Sequence, residues 1–143
     1  MSASSDNTLR VWSLASGGCE RVLEGHTREV THVALSADGT RAVSASGDNT
    51  LRVWSLASGG CERVLEGHTR AVWHVALTAD GTRAVSVSDD ETLRVWDLTT
   101  GACLARLTVD YPVTCCAVST DGRTIVGGDW FRRVHILRIR NLH

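Results

Sequence analysis

The chain has 143 residues, and its 15 Lys and Arg nearly balance its 16 Asp and Glu, for a formal net charge of −1. This length suits one ordinary domain, and the charge balance disfavours nucleic acid or an anionic membrane as the main partner. No apolar run approaches the roughly 20 residues that span a bilayer, and no signal peptide is recognised. The five cysteines include no Cys-x-x-Cys pair. We therefore expect a cytoplasmic protein with reduced thiols and no cofactor.

Taken in chain order, strands are predicted by period-two alternation and β-branched residues between clusters of Gly, Asp, Asn and Ser. The first unit is a two-stranded half at 8–23, with strands at 8–14 and 20–23. Two four-stranded units follow at 30–65 and 72–107, with strands at 30–35, 41–46, 50–56 and 61–65, then at 72–77, 83–88, 92–98 and 103–107. The last unit, 113–139, has three strands at 113–118, 123–126 and 133–139. The Asp-Gly pairs at 38–39 and 80–81 predict tight hairpin turns.

The units are copies of one another. Trp12, Trp54 and Trp96 are spaced 42 residues apart, and residues 2–28 match residues 44–70 except for Ser5 against Gly47. A fixed period of this size indicates a repeat architecture. Each unit opens on Gly-His, at 25–26 and 67–68, and one closes on Trp-Asp, at 96–97. In these features the chain resembles the WD-repeat family, and in particular the near-identical arrays at the C-terminal ends of bacterial sensor and signalling proteins.

The resemblance implies an all-β fold, a β-propeller of four-stranded antiparallel blades with about three blades per chain. That is too few for a closed ring, which has about 4–8 blades. An open arc leaves unpaired strand edges, which are templates for another chain. We therefore expect closure by homo-oligomerisation, with a dimer favoured, or by blades upstream of this segment in a longer propeller.

Two sets of polar residues look like Ser-His-Asp catalytic triads. Both sets recur at the same spacing with a Trp, which a catalytic site does not require. The resemblance implies that each set is a structural hydrogen-bond network instead, comprising His26, Ser44, Asp48 and Trp54 in one unit and His68, Ser86, Asp90 and Trp96 in the next. The last unit has Gly127 at the Ser position and Leu137 at the Trp position, so we expect it to be the softest. No catalytic residue is predicted.

His32 and His74 are expected near the central channel. A polar channel lining is favoured over a metal site, because no carboxylate or Cys recurs beside them. Cys19, Cys61 and Cys103 open outermost strands and are expected to be inert, since the sequence shows no cation that would lower a thiol pKa.

The differences between the two complete copies indicate where a partner binds. Most lie in or beside the Gly-His loop and the Asp turn, and in WD-repeat propellers these loops share the face that most often binds partners. Large side chains and charges collect there. The predicted partner-binding residues are Arg28, Arg70, Trp73, Asp89, Glu91, Tyr111, Trp130, Phe131 and Arg132.

The leading hypothesis is a non-catalytic scaffold that binds a protein or peptide on this face. Two alternatives stay open. One is a structural ring whose only partner is itself, and the other is the C-terminal sensor part of a larger signalling protein. An enzyme is not expected.

Overall fold

The structure is a computed structural model that describes residues 1–110, 112–129 and 131–138. These residues form fourteen strands in four antiparallel sheets. Sheet 1 contains β1 (Ser2–Ala3), β2 (Leu9–Trp12) and β3 (Cys19–Leu23). Sheet 2 contains β4 (Val30–Leu35), β5 (Arg41–Ser46), β6 (Leu51–Ser55) and β7 (Cys61–Leu65). Among the described residues, no helix has the length and apolar character to cross a membrane.

Sheets 3 and 4 repeat the same order of strands. Sheet 3 contains β8 (Val72–Leu77), β9 (Arg83–Ser88), β10 (Thr92–Asp97) and β11 (Cys103–Thr108). Sheet 4 contains β12 (Val113–Val118), β13 (Thr124–Asp129) and β14 (Val134–Arg138). The all-β fold of WD-repeat blades is confirmed. Ile139, the predicted end of the last strand, lies outside the described residues.

Two differences from the sequence prediction exceed a shift of one or two residues at a strand end. The predicted half unit at 8–23 gains a strand, because Ser2 and Ala3 pair with Arg10 and Leu9. Two residues are too few to show an alternating pattern, so this strand was not predicted. The second strand of the last unit extends to Asp129 rather than ending at 126, because Gly127 and Gly128 remain in the ladder opposite β12 and β14.

The core lies between neighbouring sheets rather than inside one. Each sheet has a leading face toward the next sheet and a trailing face toward the previous one. On sheet 2 the leading face includes Val43 and Val53, which pack with Trp96 of sheet 3. The trailing face includes Ala42 and Trp54, which pack with sheet 1. Period-two alternation divides each strand between the two faces, so both are apolar and the strands of sheets 2 and 3 are largely buried.

Arginines on the outermost strands add polar links between sheets. Arg21 donates to the backbone carbonyls of Ala57 (2.7 Å) and Ser58 (3.0 Å) in the next sheet. Arg63 makes the equivalent bonds to the carbonyls of Thr99 and Thr100. Ala105 stands at this position in sheet 3. These links were not predicted, because nothing in a strand sequence identifies the carbonyl that lies across a sheet interface.

The four sheets form an open series. In the described part of the chain, sheet 1 and sheet 4 share no paired strand, and each has three strands rather than four. Within the residues that the structure describes, sheet 1 has no strand inside β1 and sheet 4 has none outside β14. The expected incomplete propeller is therefore present.

Candidate functional site

A buried hydrogen-bond network links the strands of sheet 2 to the loops above them. Trp54 Nε1 donates to Ser44 Oγ (2.9 Å), and Ser44 Oγ lies 2.6 Å from His26 Nε2. His26 Nδ1 lies 2.8 Å from Asp48 Oδ2. Because indole can only donate, the Ser44 hydroxyl is free to donate to His26 Nε2, and His26 then carries its proton on Nδ1 and donates to Asp48. Every member has a partner.

Sheet 3 carries the same network with nearly the same lengths. Trp96 Nε1 donates to Ser86 Oγ over 2.8 Å, and Ser86 Oγ lies 2.7 Å from His68 Nε2. His68 Nδ1 lies 2.8 Å from Asp90 Oδ2. The structure therefore brings together all eight residues assigned to the two networks.

Burial and pairing together set the charges in these networks. Burial lowers the pKa of His26 and His68, and the neighbouring carboxylates oppose this shift without reversing it. Burial raises the pKa of Asp48, but hydrogen bonds from Thr50, His26 and the Thr27 amide outweigh it, so the pKa is lowered overall. Near neutral pH each network holds a neutral imidazole beside an ionised carboxylate.

The triad-like geometry is inaccessible to a substrate. Ser44 and Ser86 are 0 % exposed, and each hydroxyl oxygen already accepts the N–H of a buried Trp. A nucleophile must reach a substrate carbonyl, and no such approach exists here. The arrangement fixes loops instead, because Asp48 Oδ2 also accepts the Thr27 amide (3.1 Å) beside the Gly-His pair.

The glycine of the Gly-His pair makes room for this arrangement. Gly25 has a φ of +156°, and a Cβ there would lie 2.7 Å from Arg52 Nη1 and 3.2 Å from Trp54 Cη2. Gly67 has the same φ and equivalent contacts. The loop thus lies directly on the Trp and Arg of the third strand, which explains why glycine precedes each network histidine.

Sheets 1 and 4 hold different remnants of the network. In sheet 1, Trp12 Nε1 donates to Ser2 Oγ (3.0 Å), but Trp12 is 39 % exposed. In sheet 4, the buried Asp129 accepts from the Phe131 and Arg133 amides and lies 2.9 Å from His135 Nε2. Burial raises the pKa of Asp129, but these bonds lower it overall. Sequence reasoning missed this substitute, because Asp129 stands at the position of Ser46 and Ser88 rather than at the Asp position.

The network supports one end of the sheets, here called the loop face, formed by the loops at 24–29, 47–50, 66–71 and 89–91 and by Phe131 and Arg132. On it Arg28, Arg70, Glu91, Phe131 and Arg132 are exposed, and Asp89 is partly buried. Trp73 is the second residue of β8, at the loop-face end of the innermost strand. Tyr111 and Trp130 lie outside the described residues.

Two of the differences between copies are coupled by packing. A Cβ at Gly47 would lie 2.3 Å from Glu29 Oε1, so the Glu29 side chain occupies the space beside Gly47. In the next sheet Asp89 replaces the glycine and Ala71 replaces the glutamate. The carboxylate is thus on one loop in sheet 2 and on the other in sheet 3, and the two positions are neighbours in space.

The turn after the second strand has a left-handed residue in every sheet. Asn7 and Asn49 have φ values of 72° and 73°, while Glu91 and Arg132 have φ values of 63°. Asn tolerates this conformation through local hydrogen bonds, whereas other side chains with a Cβ are held there at a cost of roughly 1–2 kcal/mol. Glu91 and Arg132 therefore stand where folding favours Asn.

Trp73 is half buried, and its Nε1 is buried without a hydrogen-bond partner among the described residues. Its twin, Thr31, donates instead to the Val72 carbonyl of the next sheet over 2.6 Å. The exchange of Thr for Trp thus replaces an intersheet hydrogen bond with a large ring that carries an orphaned donor. An unpaired buried donor costs about 1–3 kcal/mol.

The channel histidines stack on each other. The rings of His32 and His74 have centroids 3.7 Å apart and an interplanar angle of 24°. Burial, together with the charge of His32, lowers the pKa of His74 to about 4. His74 Nδ1 accepts the Cys116 amide over 3.4 Å, as a neutral ring can. No group of three or more His, Cys, Asp or Glu able to hold a metal is gathered within the described residues.

Two of the cysteines on the outermost strands, Cys61 and Cys103, have a guanidinium beside them. Arg52 Nη1 lies 3.8 Å from Cys61 Sγ, and Arg94 Nη1 lies 3.9 Å from Cys103 Sγ. For Cys61 and Cys103 the expectation that no cation lies nearby was wrong, because in each case the arginine is on the neighbouring strand nine residues earlier. Each of these thiols also donates to a backbone carbonyl two residues later. The Sγ atom of Cys61 lies 3.2 Å from the carbonyl oxygen of Arg63.

A cleft of about 380 Å³ lies at the opposite end of the sheets from the loop face. It is lined by the Asp-Gly hairpins of sheets 2 and 3. Hydrogen bonds from Ser36 and from Thr40 lower the pKa of Asp38 to about 2, and Asp80 is held in the same way by Thr78 and Thr82. These carboxylates close their own turns, so the cleft adds no set of groups directed at a ligand.

Comparison with known families agrees with this geometry. A family model described as WD domain, G-beta repeat, matches residues 17–55, 59–97 and 101–131. These matches cover more than half of the chain, and the chain belongs to the WD-repeat family. Members generally serve as protein–protein interaction scaffolds rather than as enzymes. A search of curated proteins found no match to this chain.

Proposed function

We propose that the protein is a non-catalytic scaffold whose loop face binds a protein or peptide. The observation that carries this proposal is the positive φ of Glu91 and Arg132 on that face. Both positions hold Asn in other copies, which suits the backbone better. Charged side chains retained at a conformational cost indicate a role other than folding.

Trp73 supports the same assignment. A large half-buried aromatic at the rim of the loop face is typical of a binding hot spot, and Arg70 is exposed nearby in the chain. The Trp73 Nε1 is buried and lacks a hydrogen-bond acceptor among the described residues, so a partner that supplies an acceptor would stabilise the indole in a new position. Opposite charges at Arg132 and Glu91 suit a partner with both charges rather than a polyanion.

The repeats themselves supply the test variant. The triple variant Trp73→Thr, Glu91→Asn and Arg132→Asn places on the loop face the residues that sheet 2 carries at these positions. Peptides selected from a displayed random library on the parent should bind this variant at least about 30-fold more weakly, the equivalent of about 2 kcal/mol for a hot spot. Titration calorimetry measures the two dissociation constants.

A matched control exchanges twin residues at the other end of the sheets. The double variant Thr78→Ser with Asp97→Ser introduces the residues found at the equivalent positions of sheet 2, Ser36 and Ser55. It leaves the loop face unchanged. It should bind the selected peptides like the parent. If the triple variant also binds them like the parent, or if both variants lose binding equally, the loop-face assignment is incorrect.

A second candidate function is a structural ring whose partner is another copy of the same chain. The specific observation that favours it is the exposure of large apolar side chains on both ends of the sheet series, among them Trp12, Leu14, Val134 and Ile136. This function does not involve the loop face, and it is separable from the first by experiment.

A further inference from the structure

Contacts between neighbouring sheets inside the chain follow one pattern. The leading face of sheet 2 places Leu51 and Val53 against Trp96 and Leu98 on the trailing face of sheet 3. All four side chains are at most 4 % exposed. Sheets 3 and 4 meet through the equivalent positions, with Leu93 and Val95 on the leading face. The pattern is thus a property of the repeat and not of one junction.

The two ends of the series carry the same positions without a covering sheet. On the leading face of sheet 4, Val134 and Ile136 occupy the positions that Leu51 and Val53 have in sheet 2. The strand pairing shows this, because Ile136 pairs with Val126 of β13 as Val53 pairs with Val43 of β5. They are 68 % and 66 % exposed. A sheet face with two large aliphatic side chains this exposed is incomplete as a packing unit.

The trailing face of sheet 1 is the complement of that surface. Trp12 occupies the position of Trp54 and Trp96, because each pairs with the first cysteine of the outermost strand in its sheet. Trp12 is 39 % exposed and Leu14, at the position of Leu98, is 101 % exposed. In sheets 2 and 3 these two positions pack against the leading face of the preceding sheet.

We infer that two copies of this chain associate head to tail, with the leading face of sheet 4 in each copy packed on the trailing face of sheet 1 in the other. Val134 and Ile136 then meet Trp12 and Leu14 as Leu51 and Val53 meet Trp96 and Leu98 within the chain. The occupant is a second copy because residues 2–28 and 44–70 are identical except at one position. Sheet 1 therefore offers a partner nearly the same strands that already form such a junction.

The contact is heterologous, so it forms a ring when the rotation closes and a filament when it does not. Two copies bring together eight sheets, which falls at the upper end of the about 4–8 blades of closed propellers. A closed dimer has two identical junctions and leaves neither end face exposed. We expect this dimer rather than an open polymer.

The test is the mass of the purified 143-residue chain in solution, measured by sedimentation velocity and light scattering. The parent should have twice the 15.4 kDa chain mass, unchanged on tenfold dilution in the micromolar range. Ile136→Asp changes one end face and Leu14→Asp changes the other. Leu14 lies outside the strands and is fully exposed, so its variant folds even if a substitution in β14 does not. Each variant alone should be monomeric at concentrations where the parent is a dimer.

Mixing the two variants identifies the geometry of the contact. In a one-to-one mixture, the intact sheet 4 face of Leu14→Asp can pack on the intact sheet 1 face of Ile136→Asp. One of the two junctions is restored, so a mixed dimer weaker than the parent should appear. The control Val64→Asp changes a 41 % exposed residue of β7, away from both end faces, and should remain a dimer.

Other results overturn the inference. A monomeric parent means that the end faces are covered by a different partner or by further repeats, and an open polymer means that the ring does not close. If Ile136→Asp disrupts the dimer but Leu14→Asp does not, the two copies contact each other through the sheet 4 face of each, and the head-to-tail arrangement is wrong. The triple loop-face variant should dimerise normally, so failure of peptide binding and failure of self-association are distinguishable.

Discussion

The buried network of sheet 2 offers the sharpest test of how the fold is stabilised. In Ser44→Ala, Trp54 Nε1 loses its acceptor and His26 Nε2 loses its donor. Ser44 is 0 % exposed and Trp54 is 1 % exposed, so neither group can bind bulk water instead. Each orphaned buried group costs about 1–3 kcal/mol. We therefore expect the free energy of unfolding to fall by about 2–6 kcal/mol, the sum of the two costs.

The chain contains a matched control for this change. Ser2 stands at the same position of sheet 1 and accepts from Trp12 Nε1 over 3.0 Å. Trp12 is 39 % exposed, so water can replace the hydroxyl after Ser2→Ala. The expected loss is below about 1 kcal/mol, since an exposed donor regains most of a hydrogen bond from solvent. The two substitutions are chemically identical, but the site in sheet 2 is buried and has a second partner, His26, whereas the site in sheet 1 is partly exposed.

The assay is equilibrium urea unfolding of both variants, followed by tryptophan fluorescence and circular dichroism. Coincident curves with unchanged slopes are needed before the midpoints are compared, because repeat proteins can lose cooperativity. If Ser44→Ala costs no more than Ser2→Ala, pairing within the network does not stabilise the fold and the reasoning fails. The double variant Ser44→Ala with Trp54→Phe should cost less than the sum of its parts, because the orphaned indole donor is gone.

Three further outcomes are expected. Glu91→Asn should raise the free energy of unfolding by about 0.5–1 kcal/mol in urea unfolding, because Asn accepts the positive φ of this turn more readily. The reverse change, Asn49→Glu, should lower the free energy of unfolding. An increase in stability in both variants would contradict the strain argument. The pKa of His74 is about 4 in the folded protein, against 6.5 for a free side chain. Between these two pH values the unfolded chain therefore binds more protons than the folded one. The contribution of His74 to stability should be complete above pH 6.5 and should be lost as the pH falls toward 4. With a half-exposed ring the loss is about 1–2 kcal/mol. His26 and His68 also have a lowered pKa, so His74→Gln should reduce, but not abolish, the dependence of the urea midpoint on pH between pH 7 and pH 5; an unchanged slope would disprove it. Arg63→Met removes two bonds to carbonyls of sheet 3 and should cost about 0.5–1.5 kcal/mol, with faster amide hydrogen exchange in β7, whereas exchange like the parent's would mean that this link adds nothing.

Much of the fold could be predicted from the sequence because its signals are local or periodic. Alternating apolar residues mark the strands, and the constant spacing of Trp12, Trp54 and Trp96 marks the repeat. The eight network residues were noticed because they recur at fixed offsets, and their assignment as hydrogen-bond networks came from the resemblance to the WD-repeat family. Hydrogen-bonding groups that must be buried together have to keep such offsets, so the pattern remains visible along the chain.

The candidate binding residues were predicted by comparing copies, and this comparison could not separate packing from recognition. Gly47 and Asp89 differ at a position where the Glu29 side chain lies beside the glycine, a proximity that is visible only in three dimensions. The structure strengthens the case that Glu91 and Arg132 contact a partner, because their backbone conformation favours a different residue, Asn. A difference in sequence shows that a position can vary, while the backbone angle shows what the variation costs.

Tertiary structure decided everything that depends on side chains from different strands or sheets. The pairing of Ser2–Ala3 with β2, the guanidinium beside Cys61 and the bond between Asp129 and His135 follow from the register of neighbouring strands. The exposure of Ile136 and Leu14 follows from which faces lack a neighbour. The sequence determined the strands through their period-two alternation and the repeat through its constant spacing, and the resemblance to the WD-repeat family implied the buried networks. Contacts across interfaces between sheets depend on which side chains packing brings together, and a one-dimensional pattern contains no record of that choice.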